Sequence, residues 1–294
     1  MKISTGRKIF NVINYLIIAI IGICCIVPII NLLAISFSNS TAIIGNRVGL
    51  WPVDITLSAY KYVIHSSKFW TSAIVTCKRV ILGVPINLIL VFLAAYPLSK
   101  SDLVFRTRKF YVAYFMIAML FGGGLMPTYY VVAKTGLIDT IWALIIPGAV
   151  NIFNVILVMN FFRGIPIELE ESAMLDGASQ LRTLWSIYLP LSKPSIATIT
   201  LFSFMGHWNS WFDGLIYANR PQNYPLQSYL QTLITSTTDA LKDGDVKQIM
   251  LLTNINDTNM KAAQIFISII PVMFIYLFLQ KYFIKGLTLG SVKG

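Results

Sequence analysis

Six stretches of this 294-residue chain come close to the run of about 20 apolar residues that a helix needs to cross the hydrocarbon layer of a membrane. They cover about 12–37, 69–98, 110–132, 140–162, 186–212 and 262–283, each flanked by charged or aromatic residues. With 56% hydrophobic and 12% charged residues and a mean hydropathy of +0.71, the chain has more apolar surface than one soluble core of this length could bury. These numbers predict an all-α, polytopic integral membrane protein in contact with lipid, one transmembrane domain over 1–294. The first run follows Lys2, Arg7 and Lys8; it is longer than the apolar core of a secretory signal and lacks an A-x-A-like cleavage site, which favours a retained span.

Charge then orients the chain. Lys2, Arg7, Lys8, Lys100, Arg106, Arg108, Lys109, Arg163, Arg182, Lys193, Lys281, Lys285 and Lys293 fall on the side of the N-terminus. Arg47, Lys61, Lys68, Lys134, Arg220, Lys242, Lys247 and Lys261 fall on the other, in longer loops. The positive-inside rule puts both termini and the segment 166–185 in the cytoplasm. The net charge of +11 reads as this topology signal, and nucleic acid is not an expected partner. Cys24, Cys25 and Cys77 lie in apolar runs without a CxxC pair and read as buried thiols.

Between the fourth and fifth runs, Pro166 opens a stretch whose first turn carries Glu168, Glu170 and Glu171, carboxylates that complement the positive end of a helix dipole. Gly177-Ala178 then permits a tight turn, and an amphipathic 181–185 leads into the fifth run. This predicts a helical hairpin over 166–185, which on composition alone could be an interfacial helix that merely anchors a loop. Its spacing says more: Glu171-Ser172-Ala173, three residues, Gly177, nine residues, then Ile187-Tyr188-Leu189-Pro190. It resembles the E-A-A, three, G, nine, I-x-L-P signature of binding-protein-dependent ABC importer permeases, with Ser172 in place of the second residue's alanine. Phe121 through Thr128, Trp142 through Asn154, Asn160 through Pro166 and His207 through Phe212 are similar to the carbohydrate permeases of the maltose type, most of all to their LplC-like branch for complex oligosaccharides.

The resemblance implies a type I importer permease fold with six transmembrane helices and a cytoplasmic coupling helix seated in an ATP-binding subunit. On that reading Glu170, Glu171, Ser172, Ala173, Asp176, Gly177, Ile187, Leu189 and Pro190 couple this chain to the ATPase. It further implies a second, homologous permease chain, two ATP-binding subunits that hold ATP and Mg, an extracellular solute-binding protein, a carbohydrate cargo moved by alternating access, and residence in a bacterial cytoplasmic membrane. The 281–294 tail is similar to tails that reach the ATPase; a disordered end is the alternative. No cofactor is expected on this chain. Gly122-Gly123-Gly124 lacks the G-x-x-x-x-G-K-[ST] lysine that would reach phosphates, so the chain is not read as an enzyme.

Acidic residues are absent from the middle of the six runs, which argues against an ion-coupled secondary transporter. Lys78 and Arg79 enter the second run by roughly 12–14 Å and either snorkel to the interface or face a cavity, where a fixed cation would suit an anionic or strongly hydroxylated ligand. His207, Trp208, Asn209 and Trp211 combine flat rings with polar groups, as a sugar's C–H face and hydroxyls require, and Asn151 and Asn154 join them on the candidate path. An aromatic belt at the membrane surface is the competing reading of the tryptophans. One isolated histidine supports neither a metal site nor an intramembrane hydrolase. Importers of peptides or amino acids remain the nearest alternative. The long outer segments 38–68 and 214–261, the second with an acidic stretch at 237–245, are either passive loops or a docking face for the delivering protein.

Overall fold

The structure is a computed structural model that describes residues 5–242 and 257–290. All regular structure among them is helical. The chain divides into two compact units, 1–69 with 230–270 and 70–229 with 271–294.

In the first unit, α1 (Thr5–Phe37) is a continuous helix whose most apolar window has no part buried within the chain, as a lipid-facing helix should be. Order continues beyond its end. Ser38 Oγ donates to Ala34 O at 2.7 Å and accepts from Val53 N at 3.0 Å, while Ser36 meets the Tyr60 hydroxyl at 2.8 Å. These bonds fold the segment after it, with α2 (Ser40–Ile44) and α3 (Ser58–His65), back onto the end of α1. The long segment 214–261 is described only in part: residues 243–256, and with them the end of its acidic stretch, lie outside the described residues, as does 291–294 of the tail.

The second unit is organised by α4 (Ser67–Ser99), 33 residues and about 50 Å long at 1.5 Å per residue. Val91, Ala95 and Leu98 recur at helical spacing on one face and pack against Val155, Val158 and Phe162 of α7 (Ile152–Arg163) and against Leu184, Tyr188 and Ile199. The last three belong to a column that starts with a π turn (Leu184–Tyr188) and continues through α10 (Leu189–Leu191) and α11 (Lys193–Asn209). α12 (Phe212–Tyr217), α13 (Leu226–Lys242) and α14 (Asp257–Gly290) follow.

Several runs expected as single spans are interrupted. The run 110–132 is two helices, α5 (Arg108–Leu120) and α6 (Leu125–Lys134), meeting at 111°. The turn uses Gly122-Gly123-Gly124, with Gly124 at φ 80°, a backbone that side-chain-bearing residues avoid. The run 140–162 starts as two 3₁₀ turns around Pro147 and bends by 50° before α7, whose N-terminus is capped by Asn151 Oδ1 accepting Asn154 N at 3.1 Å. Three helices among the described residues, within α1, α4 and α14, are long and apolar enough to cross a membrane, or up to five if each bent pair counts as one span. Hydropathy averages over the glycines and prolines that break the path. The cysteines also differ from expectation: all three are exposed on the outer faces of their helices rather than buried.

Asp139, at φ 64°, fastens the loop after α12. Its carboxylate accepts from Asn219 N at 3.0 Å, Arg220 N at 3.2 Å and Asn223 Nδ2 at 2.8 Å, and its own N–H donates to Tyr217 O at 2.8 Å. The Asn223 amide, with Arg220 contributing, holds this carboxyl below its usual range. A depressed carboxyl pKa adds stability above the ordinary carboxylate value and loses it as pH falls through the lowered one, so the clasp is intact throughout neutral pH. Asp139→Ala is expected to speed hydrogen exchange at Asn219 and Arg220 roughly tenfold at pH 7, the loss of bonds to a charged acceptor, as read by mass spectrometry. Unchanged exchange would mean the loop is held elsewhere.

Candidate functional site

α4, the 141–148 turns, α7, α11 and α12 enclose a cavity of about 390 Å³ in the second unit. Arg79 of α4 is the centre of its polar wall and is only 4% exposed. Its guanidinium forks the Asp213 carboxylate, Nη1 to Oδ1 at 3.2 Å and Nη2 to Oδ2, and its Nε donates to His207 Nδ1 at 3.2 Å. Because Nδ1 accepts, a neutral His207 carries its proton on Nε2, which donates to Asn87 Oδ1 at 3.2 Å. Asp213 Oδ1 also accepts from Ser210 Oγ and Gly214 N, both at 2.8 Å. Gly83 makes room for the imidazole: a β-carbon there would stand 2.5 Å from His207 Nε2.

Arg79 therefore faces inward and does not snorkel, and Asp213 neutralises it, so the wall does not offer the free fixed cation anticipated from sequence. The rest of the wall is amide, hydroxyl and ring: Asn151, Asn154, Phe202 and Tyr217 line it, together with Ser203, whose buried Oγ has no hydrogen-bond partner among the described residues. The remaining candidates lie outside the wall. Lys78 is exposed on another face of α4, Trp208 is buried and stacks on Phe204 at 5.6 Å, Asn209 is exposed, and Trp211 packs edge-on to Phe212. Asn87, Gly83 and Ser203 were not singled out from sequence. A buried arginine demands a counter-charge, and that requirement is the signal that points to Asp213.

A second polar cluster lies at the far end of α4, beside α8 (Ile167–Leu175) and α9 (Gln180–Thr183). Lys100 Nζ pairs with Glu170 Oε2 at 2.6 Å, donates to the Tyr188 hydroxyl at 3.0 Å, and sits over the rings of Tyr96 and Tyr188 at 3.9 and 4.2 Å. The Tyr188 hydroxyl donates to the same Oε2, and Tyr96 donates to Gln180 Oε1 at 2.7 Å. Burial pushes the Lys100 ammonium down from the ordinary lysine range, and Glu170 beside it draws part of that back.

The signature residues thus divide. Glu171, Ser172, Asp176 and Gly177 are exposed, Gly177 turning the chain at φ 76°, and Pro190 is exposed too. Ala173 is half-buried, whereas Ile187 and Leu189 pack into the core. Glu170, implied by the resemblance to act on an ATPase, is 5% exposed and committed to Lys100 and Tyr188. Leu175, unremarked in the sequence, is 89% exposed at the tip of the hairpin.

No protein-family model matches the chain. It is 39% identical to Protein LplC of Bacillus subtilis over all of this chain and 98% of that protein. It is 36% identical to the polygalacturonan/rhamnogalacturonan transport system permease protein YtcP of Bacillus subtilis, over 98% of this chain and 99% of that one. A chain from the crystal structure of a bacterial ABC transporter involved in the import of the acidic polysaccharide alginate superimposes with a TM-score of 0.84 at 35% identity, covering 96% of this chain and 99% of that one. The chain belongs to the carbohydrate permeases of binding-protein-dependent ABC importers. As such a permease it is a multi-pass membrane protein and a transport subunit. Permease membership favours the importer reading over the ion-coupled and peptide alternatives. A further chain, from a bacterial alginate ABC transporter in complex with an alginate pentasaccharide-bound periplasmic protein, matches this permease with a TM-score of 0.54 at 16% identity and shares the fold alone.

Proposed function

We propose that this permease is one of two homologous but different permease chains in an ATP-driven importer, and that its cavity takes part of an oligosaccharide during passage. The observation that carries the reading is the cavity wall: amides at Asn151 and Asn154, a buried hydroxyl at Ser203 without a partner among the described residues, and rings at Phe202 and Tyr217, in a permease whose relatives are named for polygalacturonan/rhamnogalacturonan transport and alginate import. Sugar hydroxyls suit the first groups and C–H faces the second.

The chain would cross the membrane six times, through α1, α4, the bent α5–α6 pair, the bent 141–163 segment, the 184–209 column and α14, with both termini in the cytoplasm. Two ATP-binding subunits, carrying ATP and Mg, would receive the hairpin through Glu171, Asp176 and the exposed Met174 and Leu175. An extracellular solute-binding protein would deliver cargo to the opposite side. Closure of the ATPase pair biases a two-state permease, so cavity access alternates.

The test is uptake by the complete assembly in proteoliposomes, using labelled oligogalacturonides, alginate oligomers, maltodextrins and arabino-oligosaccharides. Uptake of at least one sugar is expected with ATP on the hairpin side, and none with ADP or a proton gradient alone. Uptake driven by the gradient without ATP, or reaction of Gly177→Cys with an impermeant thiol reagent from outside the cell, overturns the proposal.

A further inference from the structure

The two polar clusters share the same two columns. Arg79 and Lys100 lie on, or directly after, α4, twenty-one residues apart and so separated by about 31 Å of helix. Tyr188 and His207 lie on the 184–209 column, nineteen residues and about 28 Å apart. At the cavity end, Arg79 and Asn87 bond His207 across the columns. At the cytoplasmic end, Lys100 bonds Tyr188 across them, and Glu170 of α8 is bonded to both.

Glu170 is placed differently from its neighbour Glu171. One residue along a helix turns by about 100°, which leaves Glu171 exposed and carries Glu170 into the junction. A carboxylate that accepts from an ammonium and a phenol, with that ammonium over two rings, fixes direction as well as contact, and removing either charge leaves the other buried and unmatched. The Tyr96–Gln180 bond ties α9 to the same point, and the Phe162 ring of α7 packs edge-on to Tyr96 and Tyr188 at 6.4 and 5.3 Å. Apolar contacts alone would let α8 slide along the ends of the columns.

Resting on the importer reading, we propose that Lys100, Glu170 and Tyr188 are positioning residues: a buried polar joint that locks the coupling hairpin to both columns, so that displacement of α8 reaches the wall around Arg79 and His207. Glu170 works inward on this chain, and Glu171 outward on the ATP-binding subunit. The joint thus separates two functions that the signature places side by side in sequence.

The test uses the complete assembly in nanodiscs, with Cys24, Cys25 and Cys77 replaced by serine and Gly148→Cys as a reporter in the cavity wall, where an added β-carbon meets nothing within 4 Å. The rate of maleimide labelling is read with and without ATP and vanadate, beside ATP hydrolysis. With the joint intact, nucleotide is expected to change the labelling rate about tenfold or more, the signature of a two-state cavity. Lys100→Gln and Glu170→Gln are each expected to reduce that change to less than about twofold while the assembly still hydrolyses ATP, a split that lost folding alone would not produce. Where a single variant does not assemble, Lys100→Met with Glu170→Met, which buries no charge, is measured in its place with the same expectation. A full nucleotide response in these variants overturns the proposal. An intact assembly whose cavity ignores nucleotide overturns the importer reading itself, and the joint's role with it.

Discussion

Asp213→Asn is expected to destabilise the protein by about 3 kcal/mol, because the Arg79 guanidinium stays buried without its counter-charge. The figure sits at the low end for broken buried pairs because the Asp213 side chain keeps 22% exposure, so water can meet part of the deficit. The check is the equilibrium unfolding midpoint in mixed micelles. Replacing both partners, Arg79→Met with Asp213→Leu, removes the charges together and should recover part of that loss, the remainder being the bonds that His207 Nδ1, Ser210 Oγ and Gly214 N lose. Sugar uptake should nevertheless stay at least about tenfold lower, since the wall loses its hydrogen-bonding centre. An Asp213→Asn protein as stable as the parent would show that the pair is solvated and that the cavity does not depend on it.

Gly83→Ala carries the second large effect, and in an unexpected direction. In most helices this change gains about 1 kcal/mol of helix propensity. Here the new β-carbon would lie 2.5, 2.7 and 2.9 Å from three atoms of the His207 ring, which Arg79 and Asn87 hold from either side. The ring must swing and lose both bonds. Overpacking and lost hydrogen bonds together cost about 3 kcal/mol, leaving a net loss of about 2 kcal/mol. Adding His207→Ala should relieve the clash, and a double-mutant cycle should return a coupling of about 1–2 kcal/mol. A coupling near zero would mean that the backbone moves aside and the imidazole does not.

These sites explain what was legible in the sequence. Run length and oiliness located α1, α4 and α14, because a long apolar helix announces itself locally. The breaks at 122–124 and 184–188 did not, since hydropathy is blind to backbone path. The signature spacing placed the 166–185 hairpin, yet adjacent glutamates point opposite ways, and only packing separates Glu170 from Glu171. Arg79 was noticed for its cost in lipid. Its partner is 134 residues away, and no local pattern joins them. The aromatic cluster misled in part for a related reason: His207 and Trp208 are neighbours in sequence but about 100° apart around α11, so one bonds Arg79 while the other stacks on Phe204.

The bend between α5 and α6 has a consequence for the company this chain must keep. α5 leaves the basic stretch at Arg106, Arg108 and Lys109 and ends after 13 residues, about 20 Å, which is shorter than an oil layer about 30 Å thick. There the chain swings aside through three glycines with no side chains to cloak their peptide groups, and residues 121–127 are all exposed. Naked amides cannot be left in contact with acyl chains, because each unmet donor or acceptor there costs several kcal/mol. Wherever that corner meets the oil layer, another polypeptide or a water-filled hollow must shelter its peptide groups.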